Sequence, residues 1–363
     1  MLNDLSFSDY ITQCRTLIET RRPDLQQKQP HHERILSANS PFEYYPSDTS
    51  LQSGALLIHG LLDSPFSLRD IGTQLQAKGI LSRSVLLPGH GTTPNDLLQV
   101  RYNDWIETVR YGISTFKNEV DRLYLVGYST GAALSIYHAL QDLPIAGLIL
   151  LAPAIKIKTP IDQMIEWTWF TKQFTKHHQW VCREEEIDYA KYLSIAYNAV
   201  KQVSKLTNLV NELRKQRPLP CKVMMVVSRE DETVCSNSAI DFFTSTSHPA
   251  SQLLLYTSQD HIYPDARILT RLTRHADLGI QHLSHVSIPF SPTNPHYGQQ
   301  GDYLYASHTA AKETIYGAYN RVEEQLFDKL YQFRLLKQKR RQLTYNPDFD
   351  FMAEKIIEFM STR

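Results

Sequence analysis

The stretch Leu123-Tyr124-Leu125-Val126-Gly127-Tyr128-Ser129-Thr130-Gly131 decides the fold of this chain, and Ala132-Ala133-Leu134-Ser135-Ile136-Tyr137 continues it. The first four residues form an apolar run typical of a buried strand, and the continuation is typical of a helix. A serine in the tight turn between them must adopt a strained backbone, and Gly127 and Gly131 let neighbouring chain pass close to it. The pattern predicts a nucleophile elbow that presents the hydroxyl of Ser129.

On both sides of the elbow, apolar runs alternate with helical patterns. Continuous apolar runs predict parallel strands that are buried on both faces. These runs occupy residues 55–58, 84–87, 145–151, 223–227 and 253–256. Apolar residues at helical spacing separate several of them, as between 103 and 118. The alternation predicts an α/β fold with a mostly parallel sheet flanked by helices.

The alternation is interrupted between residues 155 and 219, where helix formers and aromatic residues replace strand-like runs. A segment of about 65 residues is too long for a structureless connection, so it predicts a helical lid insertion above the nucleophile's side of the sheet. The predicted organisation is an N-terminal extension (1–50), a first part of the core (51–154), the lid (155–219) and a second part of the core (220–363).

The second part of the core contains a predicted helical insertion near residues 299–345, with one long helix from about 310 to 337. This helix ends in the basic run Lys337-Gln338-Lys339-Arg340-Arg341. A basic run is usually the solvated end of a helix, which is the interpretation preferred here. A contact with a partner or with phospholipid is the alternative.

Composition restricts the classes of partner and compartment. The 363 residues contain 38 Lys and Arg and 38 Asp and Glu, so the formal net charge of zero offers no overall field for nucleic acid or an anionic membrane. The four cysteines show neither Cys-x-x-Cys nor metal-ligand spacing, which favours reduced thiols. Neither a signal-peptide pattern nor a membrane-length apolar segment is visible. We expect a cytoplasmic protein without an integral membrane segment.

Ser129 needs a general base and an orienting acid, because a serine hydroxyl is a poor nucleophile at its ordinary pKa. Asp231 is the preferred acid, since it follows the strand-like run 223–227, although a surface acidic turn is the alternative interpretation. Two histidines lie late enough in the chain to be the base, His261 and His285. From position alone, both remain open.

Acyl transfer also needs hydrogen-bond donors for the developing oxyanion. The backbone N–H groups of Leu61 and Thr130 are the natural pair, because they follow the His59-Gly60 turn and the nucleophile. His59 and His90 adjoin glycine turns early in the chain, where structural hydrogen bonding is the simpler role.

Metal and cofactor sites are not expected. The adjacent histidine pairs 31–32 and 177–178 do not share a helix face as two metal ligands would. The chemistry proposed for Ser129 needs no metal and no organic cofactor.

Several motifs together resemble the α/β-hydrolase fold, and within it the bacterial carboxylesterase and monoacylglycerol lipase group. The resemblance spans about residues 50–290. It rests on Leu57-Ile58-His59-Gly60, Ser64-Pro65, Leu87-Pro88-Gly89-His90-Gly91, Gly127-Tyr128-Ser129-Thr130-Gly131 and Asp231-x-x-Val234. The resemblance implies a serine hydrolase with a catalytic triad and a helical lid.

The resemblance also bears on the base. Ser284-His285-Val286-Ser287-Ile288-Pro289, followed by Pro295-His296-Tyr297-Gly298, is similar to the histidine segment of bacterial relatives. It therefore implies His285 as the base, with His261 as the alternative. Departures from the family pattern are Ser228 where glycine is common, the late histidine, and an added stretch of about 50 residues before the last helix.

The expected activity is hydrolysis of a carboxylic ester, with an apolar acyl group, through an acyl-enzyme on Ser129. A small-molecule thioester is the first alternative, and a peptide or lactone a weaker one. A non-catalytic binding protein on a hydrolase scaffold is the alternative from another class, because a fold does not dictate function. We expect no nucleic-acid partner.

Overall fold

The computed structural model describes residues 5–26, 31–47, 52–141, 143–157, 179–246, 248–303 and 314–362. The chain divides into two units. The first contains Met1–Leu148 and Thr159–Cys221, and the second contains Ile149–Lys158 and Lys222–Arg363. Strand β5 (Ile145–Leu151) contributes residues to both.

The first unit is built around strands in the order β1-β3-β2-β4-β5. Strand β2 pairs in parallel with β3 and with β4, whereas the edge strand β1 is antiparallel to β3. The strands before β5 are β1 (Phe42–Tyr44), β2 (Ser53–Ile58), β3 (Leu81–Val85) and β4 (Arg122–Tyr128). Every residue of β2 is buried, which is what a continuous apolar run predicts.

In the described part of this unit the helices are α1 (Phe7–Arg21), α2 (His32–Asn39), α3 (Arg69–Ala77), α4 (Tyr102–Ser114), α5 (Thr130–Ala139) and α6 (Tyr197–Gln216), and α3, α4 and α5 pack against the strands. Helix α1 buries the apolar side of its amphipathic pattern, and its Tyr10 both donates to the carbonyl of Leu86 and accepts from the N–H of Leu86, at 3.1 Å each. The N-terminal extension is therefore hydrogen-bonded to the chain that follows β3.

The second unit continues from β5 in the order β5-β8-β9-β10. Strand β9 (Gln252–Thr257) pairs in parallel with β8 (Lys222–Ser228) and with β10 (Ile268–Leu272). All seven residues of β8 are buried. Among the residues described for this unit, the helices are α7 (Ser236–Thr244), α8 (Arg321–Gln332) and α9 (Phe349–Ser361). The α/β fold with a mostly parallel sheet is confirmed.

The predicted continuous helix from 310 to 337 is wrong. Residues 304–313 lie outside the described residues, and Thr314–Gly317 form strand β11, parallel to strand β12 (Lys339–Gln342). The helix between them, α8, is shorter than predicted. Strand β11 contains the β-branched and aromatic residues Thr314, Ile315 and Tyr316, and its partner strand lies 25 positions away, beyond the reach of helical periodicity.

The predicted lid is described only in part, because residues 158–178 lie outside the described residues. Its later part contains a short antiparallel pair, β6 (Trp180–Cys182) and β7 (Ile195–Ala196), followed by α6. Helix α6 agrees with the helical character predicted for the end of this segment, whereas residues 180–196 form the strand pair and its loop and not the predicted helix, because the two strands pair across a connection that a local pattern does not reveal. Among the described residues, no helix combines the length and apolarity that crossing a bilayer requires.

Candidate active site

The elbow lies in the first unit, where Ser129 separates the end of β4 from the start of α5. Its backbone has φ 54° and ψ −112°, in the left-handed half of conformational space that only glycine enters without strain. Such a conformation costs about 1 to 2 kcal/mol and persists only when the surroundings enforce it. The predicted strained turn is therefore present at Ser129.

The two glycines of the elbow make this turn sterically possible. A Cβ on Gly131 would overlap the carbonyl oxygen of Ile58 in β2, and a Cβ on Gly127 would overlap the backbone of Gly131 and Ala132. Helix α5 can thus lie directly against β2 and the end of β4 only when both positions lack a side chain. This close approach makes possible the sharp turn at Ser129, the residue between β4 and α5.

The turn after β2 passes beside the nucleophile. A Cβ added to Gly60 would lie 3.1 Å from the Cβ of Ser129. The next residue is Leu61, and Thr130 is the first residue of α5, where a helix leaves its N–H groups without intrahelical partners. The residue before Leu61 therefore lies beside Ser129, and Thr130 follows Ser129 directly in the chain.

His59 and His90 form structural hydrogen bonds near this turn. Nε2 of His59 accepts from the N–H of Leu87 at 3.0 Å, so its Nδ1 donates to the carbonyl of Gly60 at 2.8 Å. Nδ1 of His90 lies 3.1 Å from the carbonyl oxygen of Leu87. Burial lowers the pKa of both histidines, that of His90 to about 4. Both are neutral, in agreement with the structural role expected for them.

The predicted acid and base meet in the second unit. Asp231 follows β8 by three residues, and its Oδ1 accepts from the N–H groups of Thr233 and Val234 at 2.8 Å each. Its Oδ2 lies 2.8 Å from Nδ1 of His285. A carboxylate only accepts, so Nδ1 carries the proton and Nε2 carries the lone pair that a general base needs. Both side chains are buried.

The alternative base has a different environment. His261 is exposed, and its ring packs edge-to-face on Tyr263 with centroids 4.6 Å apart. Among the described residues, Asp231 is hydrogen-bonded to His285 and not to His261. The two candidates that sequence position left open thus differ in whether the acid orients them.

Two serines hold the segment that carries His285. The hydroxyl of Ser228, at the end of β8, donates to the carbonyl of Leu283 at 2.7 Å. The hydroxyl of Ser284 donates to the carbonyl of Leu343 at 2.5 Å. Ser228 stands where the resemblance led us to expect glycine. Its hydrogen bond to the carbonyl of Leu283 gives this departure from the family pattern a physical role.

Sequence reasoning assigned no role to Glu232 or Gln342. Oε2 of Glu232 accepts from the backbone N–H of His285 at 2.9 Å, and its Oε1 accepts from Nε2 of Gln342 at 2.5 Å. Because Gln342 is 110 positions from Glu232, no local pattern points to the pair. Burial, and next the charge of Asp231, raise the pKa of Glu232 to about 7.

Comparison with known protein families decides the class of this chain. Residues 53–263 match the family Hydrolase_4, described as serine aminopeptidase, S33. The chain belongs to this family. The matching residues include Ser129 and Asp231 and end before His285, so the histidine paired with the acid lies beyond the family match.

Individual relatives agree with this assignment. A thermostable monoacylglycerol lipase from Bacillus sp. (strain H-257) is 22% identical over 229 residues, which are 63% of this chain and 88% of that protein. A carboxylesterase from Bacillus subtilis (strain 168) is 21% identical over 224 residues, 61% of this chain and 88% of that protein. The resemblance to carboxylesterases and monoacylglycerol lipases is confirmed.

A solved structure shows the same fold. A structure from work on LipS and LipT, two metagenome-derived lipolytic enzymes, superposes with a TM-score of 0.52 at 20% identity, covering 60% of this chain and 87% of that one. The α/β-hydrolase fold is confirmed, and the chain is an esterase- or lipase-like serine hydrolase by family.

Proposed function

We propose that this protein hydrolyses carboxylic esters through a triad of Ser129, His285 and Asp231. The observation that carries the proposal is the buried hydrogen bond of 2.8 Å between Asp231 and His285, which fixes the tautomer a general base needs. The strained elbow at Ser129 supports the nucleophile. The proposal requires Nε2 of His285 to reach the hydroxyl of Ser129.

The reaction follows from these roles. Oγ of Ser129 attacks the ester carbonyl while Nε2 of His285 takes the hydroxyl proton, and Asp231 stabilises the resulting imidazolium. The N–H groups of Leu61 and Thr130 donate to the oxyanion of the tetrahedral intermediate. His285 then gives its proton to the leaving alcohol. Water, deprotonated by the same imidazole, releases the acid from Ser129.

An apolar acyl group is the proposed specificity. The aromatic residues of the first half of the predicted lid lie outside the described residues, but its later segment is bonded to the loop beside the elbow. The N–H of Tyr192 donates to the carbonyl of Leu62 at 2.7 Å, and the hydroxyl of Ser64 donates to the carbonyl of Ala190 at 2.7 Å. These bonds support a lid adjoining the nucleophile. The names of the two Bacillus relatives support an ester.

A substrate series tests the proposal. We expect p-nitrophenyl esters to be hydrolysed with kcat/KM rising from acetyl to longer acyl chains, and Ser129→Ala to lower kcat by roughly 10⁴-fold or more. Acyl thioesters and aminoacyl p-nitroanilides, run in parallel, test the thioesterase alternative and the peptidase activity in the family description. A folded wild-type protein that turns over none of these would favour the binding protein.

A further inference from the structure

Helix α8 of the second unit presents large apolar side chains to solvent. Val322 and Leu326 are four residues apart on one face of α8, and Phe333, the residue that caps the C-terminal end of this helix, follows seven residues later in line with that face. Together with Leu335 they are between 53% and 76% exposed. Single exposed apolar residues are ordinary, but a row of them indicates a surface that binds something apolar. We call Val322, Leu326, Phe333, Arg334, Leu335 and Lys337 the α8 surface.

The turn that ends α8 holds part of this surface outward. The N–H of Arg334 donates to the carbonyl of Tyr331 at 2.9 Å, and the N–H of Leu335 donates to the carbonyl of Leu330 at 2.8 Å. This pair of bonds forms a Schellman motif, whose left-handed position is usually glycine. Here Arg334 occupies it with φ 56°. A cation is thus fixed in a strained position between two exposed apolar residues, Phe333 and Leu335.

The α8 surface adjoins a concentration of positive charge. Between Lys329 and Gln342 the sequence contains six Lys or Arg residues and no Asp or Glu, although the whole chain has a net charge of zero. Arg334 and Lys337 are exposed and take part in none of the ion pairs formed among the described residues. The zero net charge therefore conceals a basic region at one place in the second unit.

A cavity lies within this basic region. Its volume is about 580 Å³, and its lining includes Arg334, Lys339, Arg341 and Tyr331. Arg341 is paired with Asp328 at 2.7 Å, which also lines the cavity. Arg334 and Lys339 leave the lining with an excess of positive charge that suits a phosphate-bearing group.

We propose that the α8 surface docks the protein on a bilayer that contains anionic phospholipid. Phe333 and Leu335 enter the boundary between headgroups and acyl chains, while Arg334, Lys337 and Lys339 contact lipid phosphates. Exposed apolar residues interleaved with cations at one helix end are the composition of an interfacial anchor. A bilayer that contains anionic phospholipid supplies an apolar phase and negative charge together, which matches both the apolar residues and the cations. The proposal does not depend on the catalytic one.

Vesicle co-sedimentation of the full chain tests this. We expect binding to phosphatidylcholine vesicles that contain phosphatidylserine, weak binding to phosphatidylcholine alone, and a decrease at high salt. Arg334→Gly removes one cation and should weaken binding about fivefold, since each basic residue near an anionic surface contributes about 1 kcal/mol. Glycine is favoured at a left-handed position, so this variant should unfold at the same temperature as wild type or higher.

Two further variants complete the experiment. Phe333→Ser should weaken binding roughly tenfold, because the side chain loses its apolar burial in the bilayer. Ile262→Ser is the matched control, because Ile262 is an exposed apolar residue outside the α8 surface. We expect this variant to bind vesicles as strongly as wild type does. If the wild-type protein binds neither kind of vesicle, the proposal is overturned. Equal binding by wild type, Arg334→Gly and Phe333→Ser overturns it as well.

Discussion

The nucleophile elbow of the first unit and the acid–base pair of the second unit are held in place by different means. Ser129 is positioned by five consecutive residues, whose two glycines let α5 pack on neighbouring backbone. His285 is positioned by side chains distant in sequence: Asp231 and Glu232 are more than 50 positions before it, and Ser228 holds the adjoining Leu283.

This contrast has a mechanical consequence. The elbow depends on steric fit and backbone strain, so an added atom should distort it severely. The histidine segment depends on several hydrogen bonds, so losing one should move the base by a small amount and reduce activity in steps.

The largest expected effect separates the two candidate bases. His285→Ala should lower kcat for a p-nitrophenyl ester by roughly 10⁴-fold or more, because the nucleophile loses its general base. His261→Ala should leave kcat within about twofold of wild type, since exposed substitutions away from a site have small effects. Steady-state kinetics with both purified variants measures this. The reverse ranking would contradict the assignment of His285.

Gly131→Ala tests the steric basis of the elbow. The new Cβ would overlap the carbonyl oxygen of Ile58, so α5 must move, and we expect a loss of about 3 kcal/mol or more in the free energy of unfolding. Gly79→Ala is the matched control. Its Cβ meets nothing within 4 Å, but its φ of 78° gives a backbone penalty of about 1 kcal/mol. Urea denaturation compares them, and equal losses would exclude steric overlap as the cause.

Ser228→Ala tests the bond that holds the histidine segment. The buried carbonyl of Leu283 loses its donor, so we expect unfolding free energy to fall by about 1 to 3 kcal/mol and kcat to fall about tenfold as the imidazole shifts. Ser245→Ala, which removes a hydroxyl bonded to Phe242 at the end of α7, should lower stability without lowering kcat. An unchanged kcat in Ser228→Ala would show that the bond does not position the base.

The smallest expected effect is a pH dependence from Glu232. Its pKa is raised from 4.5 to about 7 in the folded protein, so the fold binds this proton more tightly than the unfolded chain. Its contribution to stability is complete below pH 4.5 and is lost as the pH rises through about 7. Glu232→Gln should therefore gain stability relative to wild type as the pH increases over this range.

Urea midpoints of both proteins across that pH range measure the difference. Exposed Glu107→Gln is the control, and its difference from wild type should not change in this way. A pH-independent difference between Glu232→Gln and wild type would show that the carboxyl does not titrate with a raised pKa.

The same contrast explains how much could be predicted from the sequence. The α/β fold and the strained elbow were predictable because both are set by short-range patterns, apolar runs of strand length and a five-residue turn. The helix between 310 and 337 was predicted wrongly because Thr314 pairs with Lys339, a partner that helical periodicity does not reveal. Glu232 and Gln342 were missed for the same reason, since they meet only in the folded chain.

The central claim is that His285, oriented by Asp231, makes Ser129 reactive. Its most direct test is mass spectrometry of the peptide containing Ser129 after reaction with a fluorophosphonate, as a function of time. The account predicts rapid labelling of Ser129 in wild type and His261→Ala, and strongly slowed labelling in His285→Ala and Asp231→Asn. Labelling of His285→Ala at the wild-type rate, with His261→Ala slowed instead, would contradict it.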